Sequence, residues 1–224
     1  MVKYLPYTLT LRAPAILNAA GRGSTSAATM DYIPGSAIRG ALAARLGDPD
    51  TQEEIRPEFQ TLVLDGSVRY LHAYPLNRLD RRRTLPALLS LRSSRDSDTC
   101  YDLAAFEGES QETWPKESLS PLSWHYVLIT AAEPVGVNAE IGSRIHHQRD
   151  RQRGRAWTER QNGREIPHGT LFSYEFLKPG QSFGGFIQVF GADEQQCEQR
   201  INRIKEILSV PIHLGRSRRA GYGG

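Results

Sequence analysis

Phe183-Gly184-Gly185-Phe186-Ile187-Gln188-Val189-Phe190 runs through Gly191 into Ala192-Asp193-Glu194-Gln195-Gln196-Cys197, and this junction decides the fold. The first half is rich in aromatic and β-branched residues, which suits a strand. The second half opens a helix over 192–208, because Cys197, Ile201, Ile204 and Leu208 fall at i, i+4, i+7 and i+11 and make one apolar stripe. Upstream, 171–176 is a second aromatic run, and Lys178-Pro179-Gly180 between the two runs predicts a hairpin. Downstream, 210–214 reads as a short strand. Near the amino end, Tyr7, Leu9 and Leu11 alternate with Thr8, Thr10 and Arg12, a half-buried strand. Small polar residues over 19–29 read as a loop. Ile33-Pro34-Gly35-Ser36 then predicts a turn into a helix that runs to about Leu46, with Ser36 as its cap and Asp48-Pro49-Asp50 as its stop. Strands follow over 62–74, with Asp65-Gly66 as a turn inside it, and over 124–132.

Strand, helix and strand, then strands, helix and strand, is an α+β order that resembles a ferredoxin-like sandwich with insertions. The insertions fall at 77–120, irregular and expected to be partly mobile, and at 138–168, polar and rich in Arg. A chain of 224 residues suits one large domain or two small ones. No apolar run approaches the ~20 residues that span a bilayer, and Met1 to Leu11 lacks the layout of a secretory signal. Cys100 and Cys197 are isolated, which supports neither a disulfide scaffold nor a cysteine zinc site. We therefore expect a cytoplasmic protein with no membrane contact, no metal and no cofactor.

Net charge is only +3, yet 24 of the 28 basic residues are Arg. Arginine grips phosphate bidentately and stacks on bases, whereas GC-rich coding inflates its count without a physical cause. Position favours the first reading. Residues 215–224 hold four Gly, three Arg (Arg216, Arg218, Arg219) and Tyr222. Gly215, Gly221 and Gly223 permit positive φ, exposed N–H groups of such a turn, Ser217 among them, form an anion nest, and Tyr222 offers a ring to a base. The other reading of this tail is a plain tight turn. Gly35, Ser36 and Arg39 sit where a helix N-terminus presents free N–H groups to a phosphate, or simply a capped helix. Between 144 and 164 lie seven arginines, including Arg144, Arg149, Arg151 and Arg155, which reads as a basic loop that orders on RNA or as a solvated face. Catalytic signals are thinner: His146 and His147 could serve as acid and base, and Asp31 could assist. His72, His125, His168 and His213 sit on or near predicted strands and read as packed.

Together these stretches resemble the RAMP superfamily of CRISPR-associated proteins. Tyr32-Ile33-Pro34-Gly35-Ser36-Ala37-Ile38-Arg39-Gly40-Ala41-Leu42 resembles the segment that opens the first helix of type III effector subunits, and Gly215 to Gly223 resembles the superfamily's glycine-rich loop. The middle, Arg144 to Phe186, resembles the type III-D effector RAMP subunit, with Leu171 to Glu175 and Gly180 to Gly185 matching a strand and a turn. The resemblance implies one RRM-related, ferredoxin-like domain over 1–224 that binds crRNA near its 5′ handle, contacts neighbouring effector subunits and can meet target RNA. It also implies a further strand or second domain after the glycine loop, so we expect a truncated piece. The cleaving subunits carry an Asp in a longer loop before the helix motif and the processing nucleases a His there. Here the loop is short, Asp31 abuts Tyr32, and 19–35 has no His, so a non-catalytic role is expected. The alternatives are a metal-independent endoribonuclease of the same fold, and an assembly piece whose aromatic runs over 171–190 meet protein.

Overall fold

A computed structural model describes residues 1–17, 26–47, 56–97, 99–105, 115–130, 133–147, 157–168, 171–217 and 221–224. Val2–Thr10 and Ser182–Phe190 pair antiparallel along their whole length, from Val2 opposite Phe190 to Thr10 opposite Ser182. The far side of Ser182–Phe190 takes Val68–Tyr70 and Tyr74–Pro75, again antiparallel. The strand that precedes the last helix is thus the middle of the sheet, between the first strand and the strand that follows the first helix. That is the order of a ferredoxin-like α+β fold.

Gly35–Leu46 and Glu194–Leu208 cover one face of this sheet. Ile187 and Val189 of the central strand are fully buried against Leu42, Ile201 and Ile204, and each such aliphatic side chain contributes about 1.5–3 kcal/mol by leaving water. Leu208 is only half-buried, so Ile207 completes the apolar stripe in its place. The last helix begins on a reciprocal cap. Asp193 accepts from the Gln196 backbone N–H at 2.8 Å, and the Gln196 side chain accepts from the Ala192 N–H at 2.8 Å. Asp193→Ala is expected to lower stability by about 1 kcal/mol, seen as a lower urea midpoint at an unchanged m-value.

The sequence reading needs several corrections. Leu171–Leu177 and Ser182–Phe190 are strands, but they do not form a hairpin. Leu171–Leu177 pairs with Ile141–His147 and, in parallel, with Ser26–Ala27, while Ser182–Phe190 belongs to the central sheet. The basic region is therefore not a loop throughout, since Arg144 stands on a strand and Trp157–Gln161 pairs with Arg164–His168. The 77–120 insertion carries its own small sheet, Leu91–Ser94 between Cys100–Asp102 and Leu119–Pro121. Of the described part of the 124–132 strand only Tyr126–Leu128 forms, held by Leu85–Pro86 and Val135–Val137, and 131–132 lie outside the described residues. Leu62 to Leu64 is helical, because Leu62 and Val63 turn together into the core instead of alternating. No strand forms at 210–214, where Pro211 lacks an N–H and its carbonyl accepts from the Arg45 guanidinium. Ser36 is not the cap: Pro34 holds that position, and Ser36 is an exposed residue of the first turn. Asp48-Pro49-Asp50 and 18–25 lie outside the described residues. Among the described residues no helix is long and apolar enough to cross a membrane.

Candidate nucleic-acid interface

The register of Ile141–His147 against Leu171–Leu177 sets Arg144 opposite Tyr174 and His146 opposite Phe172. Side chains two apart share a face of a sheet, so Arg144, His146, Phe172, Tyr174 and Phe176 gather on one side. The His146 ring stacks on Phe172 at 5.3 Å and 12°, and lies 5.0 Å from Tyr174. Tyr222 of the glycine-rich tail closes the cluster. Its ring centroid is 5.7 Å from Phe176 and 6.3 Å from Tyr174, and its hydroxyl hydrogen-bonds His146 Nε2 at 3.0 Å.

Two arginines distant in sequence lie over these rings. Arg144 Cζ is 5.9 Å from the Phe176 centroid and 6.0 Å from Tyr222, and Arg216 Cζ is 5.0 Å from Tyr174. Both residues are exposed. A guanidinium resting on an aromatic face keeps its N–H edge open to water, and that fork matches a phosphate. The basic strand and the glycine-rich tail, read separately from the sequence, form one surface.

Tyr222 departs from expectation, because at 2% exposure its ring is packed and offers no face to a base. Part of the turn's main chain is engaged from within. Arg216 N–H bonds Ile16 O at 3.2 Å, Gly223 and Gly224 N–H bond Pro14 O at 2.8 and 3.2 Å, and Tyr222 N–H bonds Ser217 O at 3.4 Å. The glycines are needed for shape. Gly215 has φ +79°, and a Cβ there would stand 2.2 Å from Ile16 O; Gly221 has φ +84°. Arg149, Arg151, Arg155, Arg218 and Arg219 lie outside the described residues.

The helix mouth is a separate feature. Gly35 is buried so tightly that a Cβ would lie 1.8 Å from the Tyr70 carbonyl oxygen, and its N–H donates to His72 Nδ1 at 3.0 Å. Ser36 and Arg39 line an adjoining cavity with Gly66 and Arg69. The mouth gives Ile33 and Ile38 to an apolar cluster that also holds Leu214, the residue just before the tail.

The catalytic candidates separate. His146 is held by Tyr222 and Phe172, His147 is exposed, and Asp31 takes other partners. His125 Nδ1 donates to Asp31 Oδ2 at 2.5 Å, and the Tyr126 hydroxyl donates to Oδ1 at 2.8 Å. Burial, with the Asp31 carboxylate beside it, pushes the Tyr126 phenol well up from its ordinary value. His125, read as packed, has a side chain 69% exposed, and His72 and His213 are exposed as well. Ninety-four positions separate Asp31 from His125, and no local pattern announces the pair. Phe172, Tyr174 and Phe176 were visible only as an aromatic run, and their alternation was the available sign that they share a face.

A ferredoxin-like sheet with an arginine–aromatic surface fits the RRM-related proteins that bind RNA. The family model of the RAMP superfamily matches residues 23–224, and the chain belongs to that superfamily. It is accordingly a CRISPR-associated protein with an RNA-binding role. A comparison with curated proteins returned no match.

Proposed function

We propose that this chain is a non-catalytic crRNA-binding subunit of a type III effector complex, one domain over 1–224 that grips the RNA backbone near the 5′ handle and contacts neighbouring subunits. One observation carries the reading: Arg144 and Arg216, distant in sequence, lie exposed over a single aromatic cluster. Phosphate held by side-chain forks requires no base identity and suits a subunit that accepts guides of any sequence. Gly35, Ser36 and Arg39, beside Arg69, extend the grip.

The test is incubation of the purified protein with repeat-derived RNA, with and without divalent metal, together with mass spectrometry of co-purifying RNA and proteins. The expected result is retained, uncut RNA whose affinity falls steeply as salt rises. Clean scission at one site that disappears in His146→Ala or Asp31→Asn would replace this reading with the endoribonuclease.

A further inference from the structure

The helices cover only one face of the central sheet, and the opposite face carries a second pattern. Alternation along Val2–Thr10 turns Leu5 and Tyr7 toward the helices and leaves Val2, Tyr4, Pro6, Thr8 and Thr10 exposed. Their partners on the central strand are Phe190, Gln188, Phe186, Gly184 and Ser182. None of these ten positions is acidic, and Gly184 alone among them is buried, beneath the Leu76 side chain. Tyr4 is 54% exposed, meets Phe186 edge-to-face at 6.3 Å and 80°, and its hydroxyl accepts from Gln188 Nε2 at 3.0 Å.

Arginines border the rings. Arg83 Cζ lies 3.9 Å from the Phe186 centroid, and Arg69 Cζ, from the position opposite Gln188, lies 4.8 Å from the Phe190 centroid. Arg81 donates to Ser182 Oγ at 3.4 Å. Ion pairs among the described residues, such as Arg78–Glu140 and Arg82–Asp80, involve neither Arg69 nor Arg83. Arg83 Nε is buried with no hydrogen-bond partner, and burial holds that guanidinium below its ordinary pKa.

We propose that this helix-free face is a second nucleic-acid surface, which stacks the bases of single-stranded RNA on Tyr4, Phe186 and Phe190 while Arg69 and Arg83 meet the phosphates. The charge decides the occupant. The rim carboxylates Asp80 and Glu140 are paired with Arg82 and Arg78, so a protein partner would have to bring carboxylates of its own to Arg69 and Arg83, whereas RNA brings one negative charge with every base. The rings decide the form of the RNA, because a base can lie on a side chain standing from a sheet only when it is unstacked from its neighbours. Arg69 also borders the cavity of Ser36 and Arg39, so this surface adjoins the helix mouth at one residue. It shares no residue with the cluster around Arg144 and Arg216, and Tyr4, the residue its test alters, belongs neither to that cluster nor to the helix mouth.

The experiment measures binding of a ten-nucleotide oligouridine and of a duplex RNA, in the unaltered chain and in an Arg144→Ala/Arg216→Ala background. Tyr4→Ala should weaken oligouridine binding about tenfold in both, the loss expected for one stacked base. Tyr4→Phe should restore it, and duplex binding should not change. Ultraviolet crosslinks should map to Val2–Thr10 and Ser182–Phe190. Thermal melting keeps the readout apart from folding, since Tyr4 is outside the core. Equal oligouridine binding by Tyr4→Ala and Tyr4→Phe overturns the proposal, as does loss of a co-purifying protein from Tyr4→Ala with RNA binding intact. Loss of duplex binding alone in the double-arginine background would bear on the backbone grip and leave this surface standing.

Discussion

Arg144→Ala combined with Arg216→Ala should strip most of the RNA from this protein. Each guanidinium is exposed above the shared aromatic cluster. A charge-assisted hydrogen bond is worth about 1.5 kcal/mol or more, so losing two reduces affinity roughly 100-fold at moderate salt. The slope of log affinity against log salt should fall by about 2, one for each phosphate released. The fold should survive, because the three cation–π contacts contribute only about 0.5–1 kcal/mol each at exposed positions. Filter binding across a salt series, with melting as the control, makes the measurement. An unchanged slope in a folded double variant would remove the basis for the backbone grip.

Gly35→Ala should have the largest effect on stability. The added methyl would stand 1.8 Å from the Tyr70 carbonyl oxygen, with the Tyr70 carbonyl carbon at 2.6 Å. Backbone cannot swing aside as a side chain can, so the helix must lift from the sheet. Lifting it breaks the Gly35–His72 hydrogen bond and loosens Ile38 and Leu42, both essentially unexposed. Overpacking of this kind costs about 1–3 kcal/mol and sometimes more, and the upper end is expected. Gly40, five residues on in the same helix, is the control. A Cβ there meets nothing within 4 Å, so Gly40→Ala should raise stability by about 0.5–1 kcal/mol. Urea denaturation of the two variants should move the midpoint in opposite directions. If both glycines respond alike, close approach of helix to strand is not what Gly35 provides.

Features written in local periodicity were legible from the sequence. The stripe of Cys197, Ile201 and Ile204 announced its helix, the alternation around Tyr7 and Leu9 announced its strand, and Pro34-Gly35 announced the entry to the first helix. Pairing was not legible, because a strand's sequence does not name its neighbour. Ser182–Phe190 passes over the nearby Leu171–Leu177 to join Val2–Thr10 from the other end of the chain. Site residues failed for the same reason. Asp31 and His125 meet only because the Tyr126 strand is brought back to the helix mouth. Tyr222 sits among glycines and arginines and reads as a solvent-facing ring, yet its apolar area is taken up by Phe176 and Tyr174. Composition singled out arginine as a class, and the fold brings Arg144 and Arg216 over one aromatic cluster.

The carbonyls of Pro14 and Ile16, by engaging the amides of Arg216, Gly223 and Gly224, set the curvature of the carboxyl-terminal turn before any ligand arrives. If the turn receives a polyanion as proposed, docking sacrifices little main-chain freedom at these positions, so calorimetry should find a small entropic penalty, and encounter kinetics should be governed by long-range attraction, with no slow rearrangement step.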